Sequence, residues 1–347
     1  GQGQCGNAGP IRRTEYWRRR RRSPRVLLVL FAVVVVFVGG IVYKLTRPVH
    51  HFAKPGPNTS WLSGVYAGHT LAQDEAFAAW RGAAIQTATD FIGGGAWEAI
   101  EHPLILSLGW RQDYSGRLVL SVPMWPAAVG SRAEAAAGKY DSRYAVLAKT
   151  LLNDGRPDTI VRLGWEFNTP YFRWQVKTPA DAALYAEAWR QAVRSMRSVA
   201  GQHFTFVWNP NLAKDGVDPA LAYPGDGYVD DIGLDVYDRG LAGGETAVQR
   251  WNDLVHQRYG LQWQAQFASA HGKSIAFPEW GLVHDPGSPN AGGDDPYFIQ
   301  QMHAWFASHK TAFEDYFDGP PDAGSSFALG DGLFPEAEAV YRRLFGG

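Results

Sequence analysis

The sequence predicts an α/β fold, a (β/α)8 barrel, preceded by a single transmembrane helix. Three observations carry that expectation. Short apolar runs alternate with amphipathic stretches eight times between residues 61 and 345, the pattern of parallel strands joined by crossover helices. The fourth and seventh runs each end in a glutamate, Glu166 and Glu279. The first run lacks the glycine fingerprint of an open, doubly wound sheet.

The elements run in order along the chain. Ser63 to Gly68 reads as a first strand and Asp74 to Ile85 as an amphipathic helix. Thr87 to Ile92 is a second strand, ending at Gly93-Gly94-Gly95; no Lys-Ser/Thr comes after it, so this is a loop and not a phosphate cradle. Arg117 to Pro123 is the third strand, and Ser142 to Asn153 a helix capped by Asp141. The strand ending at Glu166 is the fourth, with a long helix from Asp181 to Val199 behind it. Phe204 to Asn209 and Asp231 to Tyr237 are strands five and six. A helix from Ala247 to Ala270, open to a break at Gly260, leads to the Glu279 strand. Pro296 to Ser308 is helical, Phe313 to Phe317 is strand eight, and Glu336 to Phe345 closes the series.

Charge is divided along the chain. Residues 1–47 hold ten Lys/Arg and one acid, a balance of +9, whereas the remainder holds 23 Lys/Arg and 33 Asp/Glu, or -10. Eight arginines precede the apolar run Val26 to Tyr43, which as a helix would be about 27 Å long, near the hydrocarbon thickness of a bilayer. The expected order is therefore a basic cytoplasmic tail (1–25), a transmembrane helix (26–43), a linker (44–60) and the barrel (61–347), placed outside the cytoplasm by the positive-inside rule. A cleavable signal peptide is the alternative; the run is long for one, and no A-x-A site comes after it. Asn58-Thr59-Ser60 in the linker matches a glycosylation sequon. The acidic barrel portion argues against nucleic acid as a partner. The single cysteine, Cys5, leaves the barrel without a disulfide or thiolate metal site. The ten histidines show no metal-ligand spacing, and no cofactor or metal is expected.

A carboxylate at the end of a buried strand costs several kcal/mol without a partner or a role. Two facing each other across one pocket are the usual machinery for cleaving a glycosidic bond. Strands four and seven lie on opposite sides of a barrel mouth, and the C-terminal mouth is where such barrels work. The sequence is also similar to glycoside hydrolase family 26, the clan-A barrel family that includes β-mannanases. The matching stretches are Gly64-Val65-Tyr66, Arg162 to Asn168, Val207 to Asn211, Tyr228 to Asp238 and Pro278 to Gly281. The resemblance implies Glu166 as acid/base and Glu279 as nucleophile of a retaining hydrolase of β-linked polysaccharide. It implies Asp235 and Tyr237 as the strand-six pair, with the tyrosine touching the nucleophile. Two positions depart from the family pattern: Trp165 stands where histidine is usual, and Tyr316 or Phe317 where a tryptophan is usual after strand eight.

Further substrate contacts are expected from Trp165, Asn168, Tyr171, Trp174, Trp208, Asn209 and Trp280, because the apolar face of a sugar ring stacks on indole and amides serve its hydroxyls. Trp110 and Trp125 are open to either a platform or a core role. Two other functions remain compatible with these residues: a hydrolase or transglycosidase acting on the cell's own exopolysaccharide, and a sugar-binding barrel without chemistry. Linkage, endo or exo action and oligomeric state are not set by these patterns.

Overall fold

A computed structural model describes residues 56, 59–107, 114–320 and 324–347. The basic tail, the expected span 26–43, Asn58 and Trp110 lie outside the described residues. Among the described residues no helix is long and apolar enough to cross a membrane.

The strands are β1 (Leu62–Tyr66), β2 (Thr87–Phe91), β3 (Arg117–Val122), β4 (Ile160–Leu163), β5 (Thr205–Trp208), β6 (Asp231–Gly233), β7 (Val236–Tyr237), β8 (Ser274–Gly281) and β9 (Thr311–Phe317). All pair in parallel, in the order β1 to β6, then β8, then β9 and back to β1. The ring is closed and has eight positions, because β6 and β7 are two halves of the predicted sixth strand, both pairing with β8. This is the (β/α)8 barrel that the alternation predicts.

The longer helices are α1 (Leu71–Arg81), α5 (Asp141–Asn153), α6 (Pro179–Arg197), α7 (Ala247–His256), α8 (Leu261–Ala270), α9 (Pro296–Ser308) and α10 (Pro335–Phe345). Three short ones, α2 (Trp97–Glu101), α3 (Leu104–Ser107) and α4 (Arg132–Ala136), escape prediction because one turn carries too little periodicity to read. Thr70 and Thr178 cap α1 and α6 through reciprocal bonds with Gln73 and Asp181. Asp141 is the first helical residue of α5 rather than its cap. The predicted break at Gly260 separates α7 from α8.

Strand alternation sorts the side chains. Leu62, Val119, Ile160, Val207, Ala276 and Phe313 form a cluster of their own, a layer filling the barrel interior. Residues two further along face the same way. That rule lifts Ser121, Arg162 and Asn209 into the next layer up, under the C-terminal mouth. The intervening residues Leu120, Val161, Phe206 and Trp208 join the larger core between strands and helices.

Candidate active site

Arg162 is the hub of the upper interior layer. It is fully buried. Its Nε donates to Asn209 Oδ1 at 2.8 Å, and Nη1 to Ser121 Oγ at 3.2 Å and to Glu279 Oε1 at 2.5 Å. Nη2 donates to Asp235 Oδ2. Burial works against its charge, but Asp235, Glu279 and Glu166 outweigh burial and raise its pKa. A buried guanidinium held by four residues is a rigid base for the carboxylates above it.

Glu166 reaches the mouth by a turn. Gly164 (φ 55°) and Glu166 (φ 48°) both take left-handed backbone, and Glu166 is the only non-glycine among the described residues to do so. Such a conformation persists only where the surroundings enforce it. Here Gly164 N–H donates to Val122 O at 2.9 Å, Glu166 N–H to Asn209 O at 2.7 Å, and Thr169 N–H to Glu166 O at 3.0 Å. A Cβ on Gly164 would also lie 2.5 Å from Met124 Cγ, so the position needs glycine twice over. The Glu166 carboxylate accepts from Asn211 Nδ2.

Glu279 is positioned by a bulge. Between Phe277 and Trp280, β8 has one residue more than β9, since Phe277 pairs with Glu314 and Trp280 with Tyr316. The extra residue inverts the facing of the residues after it. Glu279 turns into the mouth, 7% exposed, while Trp280 turns out toward the helices. Each oxygen of Glu279 has a donor: Arg162 on Oε1 and the Tyr237 hydroxyl on Oε2 at 2.7 Å. Oxygens of Glu166, Asp235 and Glu279 all lie within 4.8 Å of one another.

Three carboxylates around one guanidinium cannot all be ionised cheaply. Burial, then the charge of Glu279, push the Glu166 carboxyl up to about 7, against the opposing pull of Arg162 and of hydrogen bonds from Asp235 and Asn211. Burial also raises Asp235 well above the usual carboxylate range, with Arg162 opposing. The Tyr237 hydroxyl is raised by burial and by Glu279, so it remains a donor. Among the three carboxylates, Asp235 and Glu279 are already paired with the Arg162 guanidinium, which supplies their compensating positive charge.

The carboxylates of Glu166 and Glu279 open into a cleft of about 430 Å³ walled by Tyr171, Asn211, Tyr237, Arg239, Phe317 and Phe327, among others. Of the two aromatics considered after strand eight, Phe317 is the one at the cleft. Tyr316 is buried, its hydroxyl donating to Phe327 O at 2.9 Å. Asn168 braces Asn211 through Nδ2 to Asn211 O (2.7 Å) and Asn211 N–H to its Oδ1 (2.8 Å). Tyr171 is 80% exposed at the rim. Trp165, Phe172 and Trp174 pack together, with Trp174 Nε1 donating to Trp165 O at 2.7 Å.

Three of the expected substrate contacts are corrected. Trp208 is fully buried among Phe167, Tyr223 and Phe267, because its neighbour Asn209 faces inward and alternation sends Trp208 outward. Trp280 is fully buried against Phe298, Phe306 and Phe345, its Nε1 donating to Glu314 Oε2 at 2.6 Å. Asn209 is buried and spent on orienting Arg162. Arg162, Asn211, Arg239 and Phe327 were not among the expected contacts. An arginine inside the apolar run Ile160-Val161-Arg162-Leu163 was the available signal, since a cation there needs buried anions.

Residues 131–277 match the model of glycosyl hydrolase family 26. A mannan endo-1,4-β-mannosidase of Bifidobacterium adolescentis is 28% identical over 166 residues, which are 46% of this chain and 16% of that protein's length. A solved Bacillus subtilis mannanase superposes with a TM-score of 0.56 at 17% identity, covering 85% of this chain and 93% of its own. A GH26 β-mannanase of Bacteroides ovatus gives 0.56 at 15%, covering 82% and 88%. These superpositions, at such identities, speak to fold.

Proposed function

We propose that this chain, whose residues 131–277 match the model of glycosyl hydrolase family 26, is a retaining glycosidase that cleaves a β-linked polysaccharide, β-mannan or a related β-glycan. The observation that carries the reading is the placement of Glu166 and Glu279, oxygens within 4.8 Å of each other, at the ends of β4 and β8 in one open cleft. Retention needs carboxyl groups about 5–5.5 Å apart, and inversion needs room for a water between them.

Ionised Glu279, held by Arg162 and Tyr237, attacks the anomeric carbon. Glu166, raised to about 7, gives its proton to the leaving oxygen. Water then attacks the glycosyl-enzyme while Glu166 takes the proton back. Bond formation removes the charge of Glu279 during the covalent stage, which favours Glu166 as a base at that moment and as an acid before it.

The apolar span at 26–43 and the arginines before it support a membrane-anchored enzyme with its barrel outside the cytoplasm. Such tethering favours a polymer made or held at the same cell's surface over a distant food source. The test is a polysaccharide panel with product analysis: the first-formed sugar should keep the β configuration by NMR. An α product at early times would exclude the double displacement, and binding without turnover would leave only a sugar-binding barrel.

A further inference from the structure

A second hollow of about 330 Å³ adjoins the catalytic cleft. Its wall includes Gly94, Trp125, Trp165, Phe172, Arg173 and Trp174, and Tyr171 lines both this hollow and the cleft. Trp165 immediately precedes Glu166. The hollow and the cleft therefore share Tyr171 as a common wall, and a polymer lying over Tyr171 would enter both.

The chemistry of the wall is lopsided. Arg173 is the sole charged residue lining it; the rest are aromatic, aliphatic, proline or glycine. Arg173 is exposed at the edge of the hollow, and among the described residues it forms no ion pair with a carboxylate. This stands out in residues 48–347, whose charge balance is -10. The aromatic wall is also preorganised: Phe172 and Trp174 stack at 4.9 Å and 8°, and Trp174 is pinned to the Trp165 carbonyl. Apolar walls with one well-placed polar group are what orient a ligand in a pocket. A guanidinium fork matches a carboxylate in two parallel hydrogen bonds, and indole faces accept the C–H face of a pyranose.

We propose that this hollow is a subsite for a carboxyl-bearing sugar unit, with Arg173 reading the carboxylate, so that the preferred substrate is an acidic polysaccharide. The inference rests on the reading of the cleft as a polysaccharide site and adds the charge of the polymer to it. A neutral sugar would fill the aromatic wall but leave Arg173 without a partner.

The test is calorimetric binding to the full-length chain carrying Glu279→Ala, which halts turnover. The probes are a β-linked glucuronomannan oligosaccharide and the same oligosaccharide after carbodiimide–borohydride reduction of its carboxyl groups. The acidic form should bind about tenfold more tightly at low salt, the worth of a charge-assisted hydrogen bond. Arg173→Gln should erase that preference and leave affinity for the reduced form within about twofold; Arg173→Lys should keep part of it, and added salt should shrink it. Equal binding of the two forms, equal loss of both in Arg173→Gln, or binding of neither would overturn the proposal. The two readings separate cleanly. A charge preference in a chain that hydrolyses no polymer with Glu279 restored would sink the glycosidase reading alone. Hydrolysis of both forms at the same rate would sink the acidic subsite alone.

Discussion

The Tyr237 hydroxyl donates to Glu279 Oε2 at 2.7 Å while Arg162 occupies Oε1, so both oxygens of Glu279 are held from opposite sides. Removing the phenol should loosen the carboxylate without unfolding the mouth, because the ring still packs on Phe317 and Phe327. Tyr237→Phe should lower kcat by about tenfold to a hundredfold, the scale of one lost hydrogen bond to a charged group. Circular dichroism should be unchanged; a kcat within about twofold of wild type would show the bond to be idle.

Glu166 must be protonated to act as acid, and its carboxyl is pushed up to about 7. The rate of the first step should therefore fall as pH rises through about 7. Part of the shift comes from the charge of Glu279. NMR titration of Glu166 in Glu279→Gln should find its pKa lower than in wild type. An unchanged value would leave burial as the whole cause.

The two glutamates should fail differently. Glu279→Ala should abolish turnover, because no nucleophile remains. Glu166→Ala should cripple cleavage of natural polymers but spare the first step for activated aryl glycosides, whose leaving group needs no proton. The glycosyl-enzyme should then accumulate and be released by azide as a product of retained configuration. Wild-type turnover of polysaccharide by Glu166→Ala would show that another group supplies the acid.

Burial raises the Glu314 carboxyl to about 8, with donors including Trp280 opposing the shift. The sign is set by proton count. A carboxyl that is more basic folded than unfolded stabilises the fold fully below its unfolded pKa, and that contribution is lost as pH climbs through the folded value. Wild-type Tm should therefore drop between about pH 5 and 9, and Glu314→Gln should flatten part of the drop. A mutant Tm profile parallel to wild type would mean that Glu314 does not carry the effect.

Core and rim aromatics should part in stability measurements. Trp280→Ala should destabilise by about 3–5 kcal/mol, as expected for a large core truncation. Tyr171→Ala, at an exposed rim position, should leave Tm nearly unchanged and weaken polysaccharide binding. Similar Tm losses in both would contradict the outward facing of Trp280.

Much of the barrel was legible because period-2 and period-3.6 patterns survive in single elements. The strands ending near Glu166 and Glu279 could be read from their apolar approaches. The features that escaped were set by more than one element at a time. Trp208 and Trp280 looked like cleft residues because each adjoins a polar site residue, yet one neighbour faces in and the other out. For Trp208, alternation alone would have sufficed once Asn209 was placed inside. For Trp280 it would have misled, because the bulge after Phe277 reverses the alternation and is visible only in the pairing with β9.

The sequence by itself determined the order of strands and helices, the two carboxylates and their strand-end positions, because local hydrophobic period and residue type are enough to specify them. Tertiary structure decided how the site is wired. Arg162 gathers Ser121, Asn209, Asp235 and Glu279 from four other strands or strand ends, and the proton affinity of Glu166 depends on burial and on a charge 113 positions along the chain. Electrostatics acts through space, and chain separation carries no record of that distance until the barrel closes.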